Sequence, residues 1–112
     1  MIHIASDHAG FKMKEFVKEY FQINNIAYFD LGCDSEDSCD YPDFAHKLAK
    51  KIIEDSVFGI AICGTGIGIS IALNRHKGIR AARCLSVDDA FMARLHNNAN
   101  ILVLAGRQTE KK

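Results

Sequence analysis

The 112 residues carry fourteen basic and fourteen acidic side chains, and 48% of them are apolar. This length indicates one domain, residues 1–112, with a real core, and the balanced charge argues against general nucleic-acid binding, which needs a basic surface. No apolar run approaches the roughly 18 residues of a membrane span, and residues 1–10 lack the pattern of a signal peptide. We therefore expect a cytoplasmic protein without membrane or nucleic-acid partners.

The four cysteines show no CxxC spacing, and without an export signal we expect reduced thiols. Cys33 and Cys39 flank an acidic loop, so a disulfide between them is the alternative. Neither Cys63 nor the histidines have the spacing of metal ligands. Any catalysis is therefore expected to proceed without a metal or another cofactor.

The first half of the chain alternates strand and helix patterns. Residues 2–5 predict a strand, and apolar residues within 13–21 then recur at helical spacing. Residues 26–32 predict a second strand, and residues 33–40 predict a polar loop. Pro42 fits the first turn of the next helix, where the missing N–H breaks no hydrogen bond.

The second half continues the same alternation. Residues 58–63 are continuously apolar, as in a strand buried on both faces. A short helix over about 66–76 follows a glycine turn, and residues 79–84 and 101–106 predict two more strands. Between them, Ser86 resembles the start of a capping box. The helix that it begins is predicted to direct four apolar residues inward: Val87, Ala90, Phe91 and Leu95.

Five strands joined by helical crossovers predict an α/β fold, a three-layer α/β/α domain with a parallel Rossmann-like sheet. Ligands of such sheets bind outside the carboxyl ends of the strands. Chemically active side chains directly follow several predicted strand ends, and we expect them along one rim: Asp7, His8, Cys63, Thr65 and Arg107.

The glycine turn after the third strand, CGTGIGIS at residues 63–70, has three interpretations. As a dinucleotide fingerprint, it has Ile69 at the third glycine position and follows the wrong strand, and no Walker lysine follows it. As a purely structural turn, it allows tight packing of a helix. As a catalytic turn, it places Cys63 before a helix N-terminus, where a thiolate is favoured and N–H groups can stabilise an enediolate.

Other polar residues also have two interpretations each. Asp7 is a helix cap or a ligand of a sugar hydroxyl, and His8 is a surface residue or a phosphate ligand. Tyr41 lies at the start of a helix, where half-buried packing is its structural interpretation. His96 and Asn97 end a helix, where the dipole favours a protonated histidine, but a histidine is also a plausible acid or base.

Five segments together closely resemble the type B ribose-5-phosphate isomerase family: SDHAG, DYPDFA, ICGTGIGISIALN, GIRAARC and RLHNNANILVLAGR. Related isomerases of galactose 6-phosphate and allose 6-phosphate share its fold. The resemblance implies a metal-independent aldose–ketose isomerase of the pentose phosphate pathway. It would interconvert ribose 5-phosphate and ribulose 5-phosphate through a cis-enediol.

The resemblance also implies residue roles. Cys63 matches the base that moves the proton between C1 and C2, and Thr65 belongs to the cradle of the enediolate oxygens. His96 matches the group that helps to open the furanose ring. The remaining matches are the backbone of the cradle at Gly64, Gly66 and Gly68, the sugar-hydroxyl ligands Asp7, Tyr41 and Asn97, and the phosphate ligands His8 and Arg107.

The family forms homodimers with shared sites, and the dimers can pair further. Because Cys63 and His96 are both present, the ribose enzyme is favoured over galactose-6-phosphate isomerase, while allose 6-phosphate stays an alternative substrate. Family members continue through a C-terminal helical region with two more phosphate-binding arginines, whereas this sequence ends shortly after Arg107. A non-catalytic sugar-phosphate-binding or scaffolding subunit is therefore the second hypothesis, and a nucleotide-binding domain is the third.

Overall fold

The computed structural model describes residues 1–55 and 57–108. Strands and helices alternate in these ranges: β1 (Ile2–Ser6), α1 (Phe11–Ile23), β2 (Tyr28–Asp30), α2 (Tyr41–Asp55), β3 (Gly59–Cys63), α3 (Ile67–Asn74), β4 (Ala81–Arg83), α4 (Val87–Asn97) and β5 (Ile101–Ala105). A short 3-10 helix (His8–Gly10) leads into α1. Among these helices, none is both long and apolar enough to cross a lipid bilayer.

The five strands form one parallel sheet in the order β2-β1-β3-β5-β4. This confirms the predicted parallel sheet. The edge strands β2 and β4 contain three residues each, fewer than the sequence pattern predicts. The central strands are in close register, since Ser6 pairs with Ile62 and Cys63 pairs with Ala105. The carboxyl ends of β1, β3 and β5 therefore lie side by side.

Alternating strand residues face two different helical layers, as the pleat of a strand requires. On one face, Ala61 and Val103 belong to a core cluster that includes residues of α2 and α3. On the other face, Ile62 packs with Met13 of α1, and Leu102 packs in the cluster that contains Ala93 of α4. The arrangement confirms the three-layer prediction.

The start of α4 follows its sequence signal. Ser86 is the N-cap, and its hydroxyl accepts a hydrogen bond from the N–H of Asp89 at 3.1 Å. The Asp89 carboxylate accepts in turn from the N–H of Leu85, also at 3.1 Å. This pair resembles a capping box, and it satisfies one N–H of the first helical turn and the N–H of the residue that precedes the N-cap.

The predicted inward face of α4 is wrong for three of its four residues, and only Ala90 packs inward. Val87, Phe91 and Leu95 are 87%, 63% and 62% exposed, while Ala93 is buried and Ala90 packs beside it. Because α4 lies against the short edge strand β4, small residues make the contact and the large apolar ones face outward. The 3.6-residue periodicity identifies an apolar stripe, but it does not say what covers the stripe.

Candidate active site

The turn between β3 and α3 directs a backbone N–H group at a thiol. Gly66 is the N-cap of α3 and has a φ of 78°, in the left-handed region that favours glycine. Its N–H donates to the Sγ of Cys63 at 3.1 Å. A thiolate accepts such a bond more strongly than a thiol does, because charge-assisted hydrogen bonds are the stronger class. The turn therefore offers a stabilised position for negative charge.

Cys63 itself ends β3 and is only 4% exposed. It belongs to the core cluster that contains residues of α2 and α3, and its sulfur lies next to the turn. The thiol is thus surrounded by apolar side chains on one side and by the N-terminus of α3 on the other. The N–H donor at the helix N-terminus is the one that the sequence led us to expect, whereas the burial of the thiol is also what a structural cysteine would show.

Hydrogen bonds of Thr65, within the turn, and of Arg83, outside it, stabilise the turn. The Thr65 hydroxyl accepts from the N–H of Ile67 at 3.2 Å, and its carbonyl oxygen accepts from Nε of Arg83 at 2.6 Å. Arg83 also donates to the side chain of Gln108 at 3.0 Å. The sequence analysis missed Arg83, although its position at the end of β4 places it on the same rim as the strand-end residues that were considered.

Two side chains distant in sequence lie directly against the glycines of the turn. A Cβ added at Gly68 would lie 2.7 Å from Cζ of Tyr41 and 2.9 Å from its hydroxyl oxygen. A Cβ added at Gly64 would lie 3.3 Å from Nη1 of Arg107. The Arg107 N–H also donates to the carbonyl oxygen of Gly64 at 3.0 Å. A phenol and a guanidinium group therefore border the same turn.

Asp7 and His8 lie on the same rim, at the carboxyl end of β1. Asp7 is buried, and its carboxylate accepts from the N–H of Gly10 at 3.1 Å, so the predicted cap is present. The Asp7 N–H donates to the carbonyl oxygen of Ile62, which links it to β3. The Nδ1 atom of His8 lies 3.1 Å from both the N and the O of Cys39.

His96 and Asn97 are not near this rim within the same chain. They form the last turn of α4, which begins just after β4 and ends just before β5. The carbonyl oxygen of Asn97 accepts from Nε of Arg80 at 2.6 Å, and Arg80 precedes β4. Both exposed residues therefore lie at the amino end of the sheet, opposite Cys63.

A buried cation anchors the loop between β2 and α2, and the sequence analysis missed it. Lys14 has no exposed surface, and its Nζ donates to both carboxylate oxygens of Asp30 at 2.7 Å and to the carbonyl oxygen of Cys33 at 2.6 Å. Burial raises the pKa of Asp30, but hydrogen bonds from Lys14, Lys18 and the Gly32 N–H outweigh it, so the pKa lies below its usual range. The sequence signal that could have indicated a buried lysine is the position of Lys14 directly after Met13, which faces the core.

The cysteines of this loop are thiols, as are Cys63 and Cys84. The alternative of a disulfide between Cys33 and Cys39 is therefore not realised. Burial and the neighbouring Cys33 raise the pKa of the Cys39 thiol to about 11. Within the two described ranges, no group of three or more His, Cys, Asp and Glu side chains is arranged to bind a metal ion.

Comparison with known proteins gives a consistent result. A family model described as Ribose/Galactose Isomerase matches residues 2–112. The chain is 37% identical over 107 residues to Ribose-5-phosphate isomerase B of Escherichia coli, covering 95% of this chain and 72% of that protein.

Two crystal structures show the same fold at high similarity. A ribose 5-phosphate isomerase of Thermotoga maritima has a TM-score of 0.96 and 55% identity, with 98% of this chain and 77% of that chain covered. Ribose-5-phosphate Isomerase B of Mycoplasma genitalium, solved with bound ribulose-5-phosphate, has a TM-score of 0.91 and 41% identity, covering 98% and 74%. Together with the thiol at the glycine turn, these matches confirm the sequence resemblance, and the chain belongs to the Ribose/Galactose Isomerase family.

Proposed function

We propose that this chain is an aldose–ketose isomerase that interconverts ribose 5-phosphate and ribulose 5-phosphate, with Cys63 as the base. The observation that carries the proposal is the Cys63 sulfur facing the Gly66 N–H at the start of α3. The similarity to isomerases of the same substrate pair supports it. This reaction belongs to the pentose phosphate pathway, and the free cysteines favour a reducing compartment such as the cytoplasm.

The proposed chemistry moves one proton between neighbouring carbons. After the furanose ring opens, the Cys63 thiolate removes the proton from C2, and the electron pair passes to the carbonyl oxygen at C1. Thr65 and the N–H groups of residues 64–68 stabilise the charge that develops on the enediolate oxygens. The proton of the C2 hydroxyl passes to the oxygen at C1, and the thiol then returns its proton to C1 as the carbonyl group forms at C2, which yields the ketose and restores the thiolate.

The other rim residues bind the substrate in this proposal. Arg107, which borders the glycine turn, and His8 bind the phosphate, because both present N–H donors to an anion. Asp7 and Tyr41 bind sugar hydroxyl groups. The Tyr41 hydroxyl lies against Gly68, which supports a contact with the same ligand that occupies the turn.

We further propose a homodimer with shared sites, or a pair of such dimers. His96 is assigned to ring opening and Asn97 to a sugar hydroxyl, yet both belong to the opposite end of the sheet from Cys63 in one chain. A second copy must supply them. The exposed apolar stripe of Val87, Phe91 and Leu95 on the same helix supports a subunit contact there.

The decisive experiment is turnover of ribose 5-phosphate by the wild type, by Cys63→Ala and by the control Cys84→Ala. Cys84 is also buried and also follows a strand, but it packs in the cluster with Ala93 of α4 and not in the cluster that contains Cys63. Loss of the base is expected to slow the reaction roughly a thousandfold, and the control should stay close to the wild type.

Three results would reject the proposal in different ways. Equal rates for the wild type and Cys63→Ala would remove the thiol from the mechanism. Binding of ribose 5-phosphate without turnover would indicate a non-catalytic binding subunit. A much higher kcat/KM with allose 6-phosphate would assign the site to the other substrate of this family.

A further inference from the structure

We propose that Cys39 is a positioning residue, which acts through its peptide groups to orient His8 so that Nε2 of the ring donates to the substrate phosphate. The inference rests on the proposed function in assigning the phosphate to His8. Cys39 thus acts on the phosphate through His8, and it does so through its main chain rather than through its thiol.

The geometry offers His8 a partner in either charge state. Nδ1 lies 3.1 Å from the N atom of Cys39, whose N–H is directed at it. Nδ1 also lies 3.1 Å from the carbonyl oxygen of the same residue. A neutral ring accepts from the N–H and carries its proton on Nε2, whereas a protonated ring donates to the carbonyl oxygen. In both states Nε2 bears a hydrogen.

The Nε2 edge is available to a ligand. No group within residues 1–55 and 57–108 forms a hydrogen bond with this atom, and the His8 side chain is partly exposed on the rim. A histidine held through Nδ1 presents a fixed donor, so less conformational freedom is lost when the anion binds.

The loop that carries Cys39 has no regular secondary structure but is firmly anchored at its start. Lys14 donates to the carbonyl oxygen of Cys33 at 2.6 Å, and the Cys33 N–H donates to the carbonyl oxygen of Ser6 at 2.9 Å. Lys47 donates to the carbonyl oxygen of Leu31 at 2.9 Å. Burial of a lysine is costly, and here the buried lysine fixes the start of the loop whose residue Cys39 contacts His8.

The thiol is a poor candidate for the same task. Burial and Cys33 raise the pKa of the Cys39 thiol to about 11, so the side chain stays neutral at physiological pH. A neutral thiol is only a weak hydrogen-bond donor. The peptide groups, which are the atoms next to Nδ1, therefore carry the interaction.

A pair of variants at one position separates the main chain from the side chain. Cys39→Pro removes the N–H, whereas Cys39→Ala removes only the thiol. We expect Cys39→Pro to raise KM for ribose 5-phosphate roughly tenfold, the equivalent of one lost hydrogen bond, with a much smaller change in kcat. Cys39→Ala should keep KM within about twofold of the wild type, a range smaller than one hydrogen bond. Equal increases of KM in both variants would overturn the proposal.

Nitrogen-15 NMR of the His8 ring tests the inference without turnover. In the wild type at a pH where His8 is neutral, we expect the ring proton on Nε2, and addition of inorganic phosphate should shift the Nε2 signal. A neutral ring protonated on Nδ1 would overturn the proposal, even if Cys39→Pro failed to fold. Because this readout needs no isomerase activity, failure of the proposed function would leave it intact.

Discussion

The two ends of the sheet carry different parts of the proposed site. The carboxyl end gathers Asp7, Cys63 and Arg107 around one turn, because the strands β1, β3 and β5 end side by side. The amino end carries His96 and Asn97, which close α4 before the chain enters β5. In a parallel sheet, residues that follow a strand meet at one end, and residues that precede a strand meet at the other.

The separation is large on the scale of a side chain. An α-helix of eleven residues, the length of α4, spans about 16 Å. His96 lies at the far end of that helix from the rim, so a change of rotamer does not bring it to Cys63. In the proposed dimer each copy therefore contributes two half-sites, and two copies are needed to combine them.

The strongest test of this comparison mixes two inactive variants. Cys63→Ala lacks the proposed base, and His96→Gln lacks the proposed ring-opening group, so each alone should lose at least roughly a hundredfold in rate. After joint unfolding and refolding in equal amounts, half of the dimers are mixed and each has one intact site. The mixture should recover about one quarter of the wild-type rate, as two-fold symmetry requires.

The control is a mixture of Cys63→Ala with the double variant Cys63→Ala/His96→Gln, in which every site lacks the thiol. This mixture should stay inactive. If the first mixture also stays inactive although native mass spectrometry shows mixed dimers, the two half-sites do not combine and the proposed sharing is wrong.

The same comparison shows how far the sequence leads. Apolar periodicity and strand-end residues predicted the order of the elements, the parallel sheet and the rim that contains Cys63 and Arg107. Periodicity also indicated a stripe on α4, but Phe91 is exposed because a pattern does not record which surface covers it. Lys14 was missed for the converse reason, since its partner Asp30 is sixteen residues away and only the fold brings them together.

The ion pairs at the two ends of the sheet, Lys14–Asp30 and His3–Asp55, should contribute differently to the free energy of unfolding. Lys14→Met at the carboxyl end removes a fully buried charge from Asp30 and should lower the free energy of unfolding by about 3 kcal/mol. Asp55→Asn at the amino end removes a partner of His3 that is 46% exposed, and should cost less than about 1 kcal/mol. Urea unfolding of both variants measures this difference, and equal losses would contradict it.

The carboxyl-end anchor should also be sensitive to acid. Burial raises the pKa of Asp30, but the hydrogen bonds from Lys14 and Lys18 lower it further, below its unfolded value of 3.8. A lowered pKa means that the carboxylate stabilises the fold above pH 3.8, and that this contribution disappears as the pH falls through the folded pKa.

Urea unfolding of the wild type and Asp30→Asn across pH tests this linkage. At pH 7 the variant should be less stable by about 2 kcal/mol, the range of a hydrogen bond to a charged group. The gap should narrow steadily below pH 4. A gap that is constant from pH 7 to pH 3 would show that the charge of Asp30 contributes nothing.

The smallest expected effect concerns the exposed apolar stripe of α4, the helix whose last turn contains His96. If α4 reaches the site of a second copy, its exposed apolar stripe lies at the subunit contact. A glutamate in place of Phe91 would then be desolvated at this contact without a partner of opposite charge. Phe91→Glu should therefore raise the dimer dissociation constant at least about tenfold, or about 1.4 kcal/mol. Ile23→Glu, at an 80% exposed position that ends α1, is the matched control and should leave association unchanged. Sedimentation velocity over a range of protein concentrations measures both, and association that is insensitive to Phe91→Glu would move the subunit contact away from this helix.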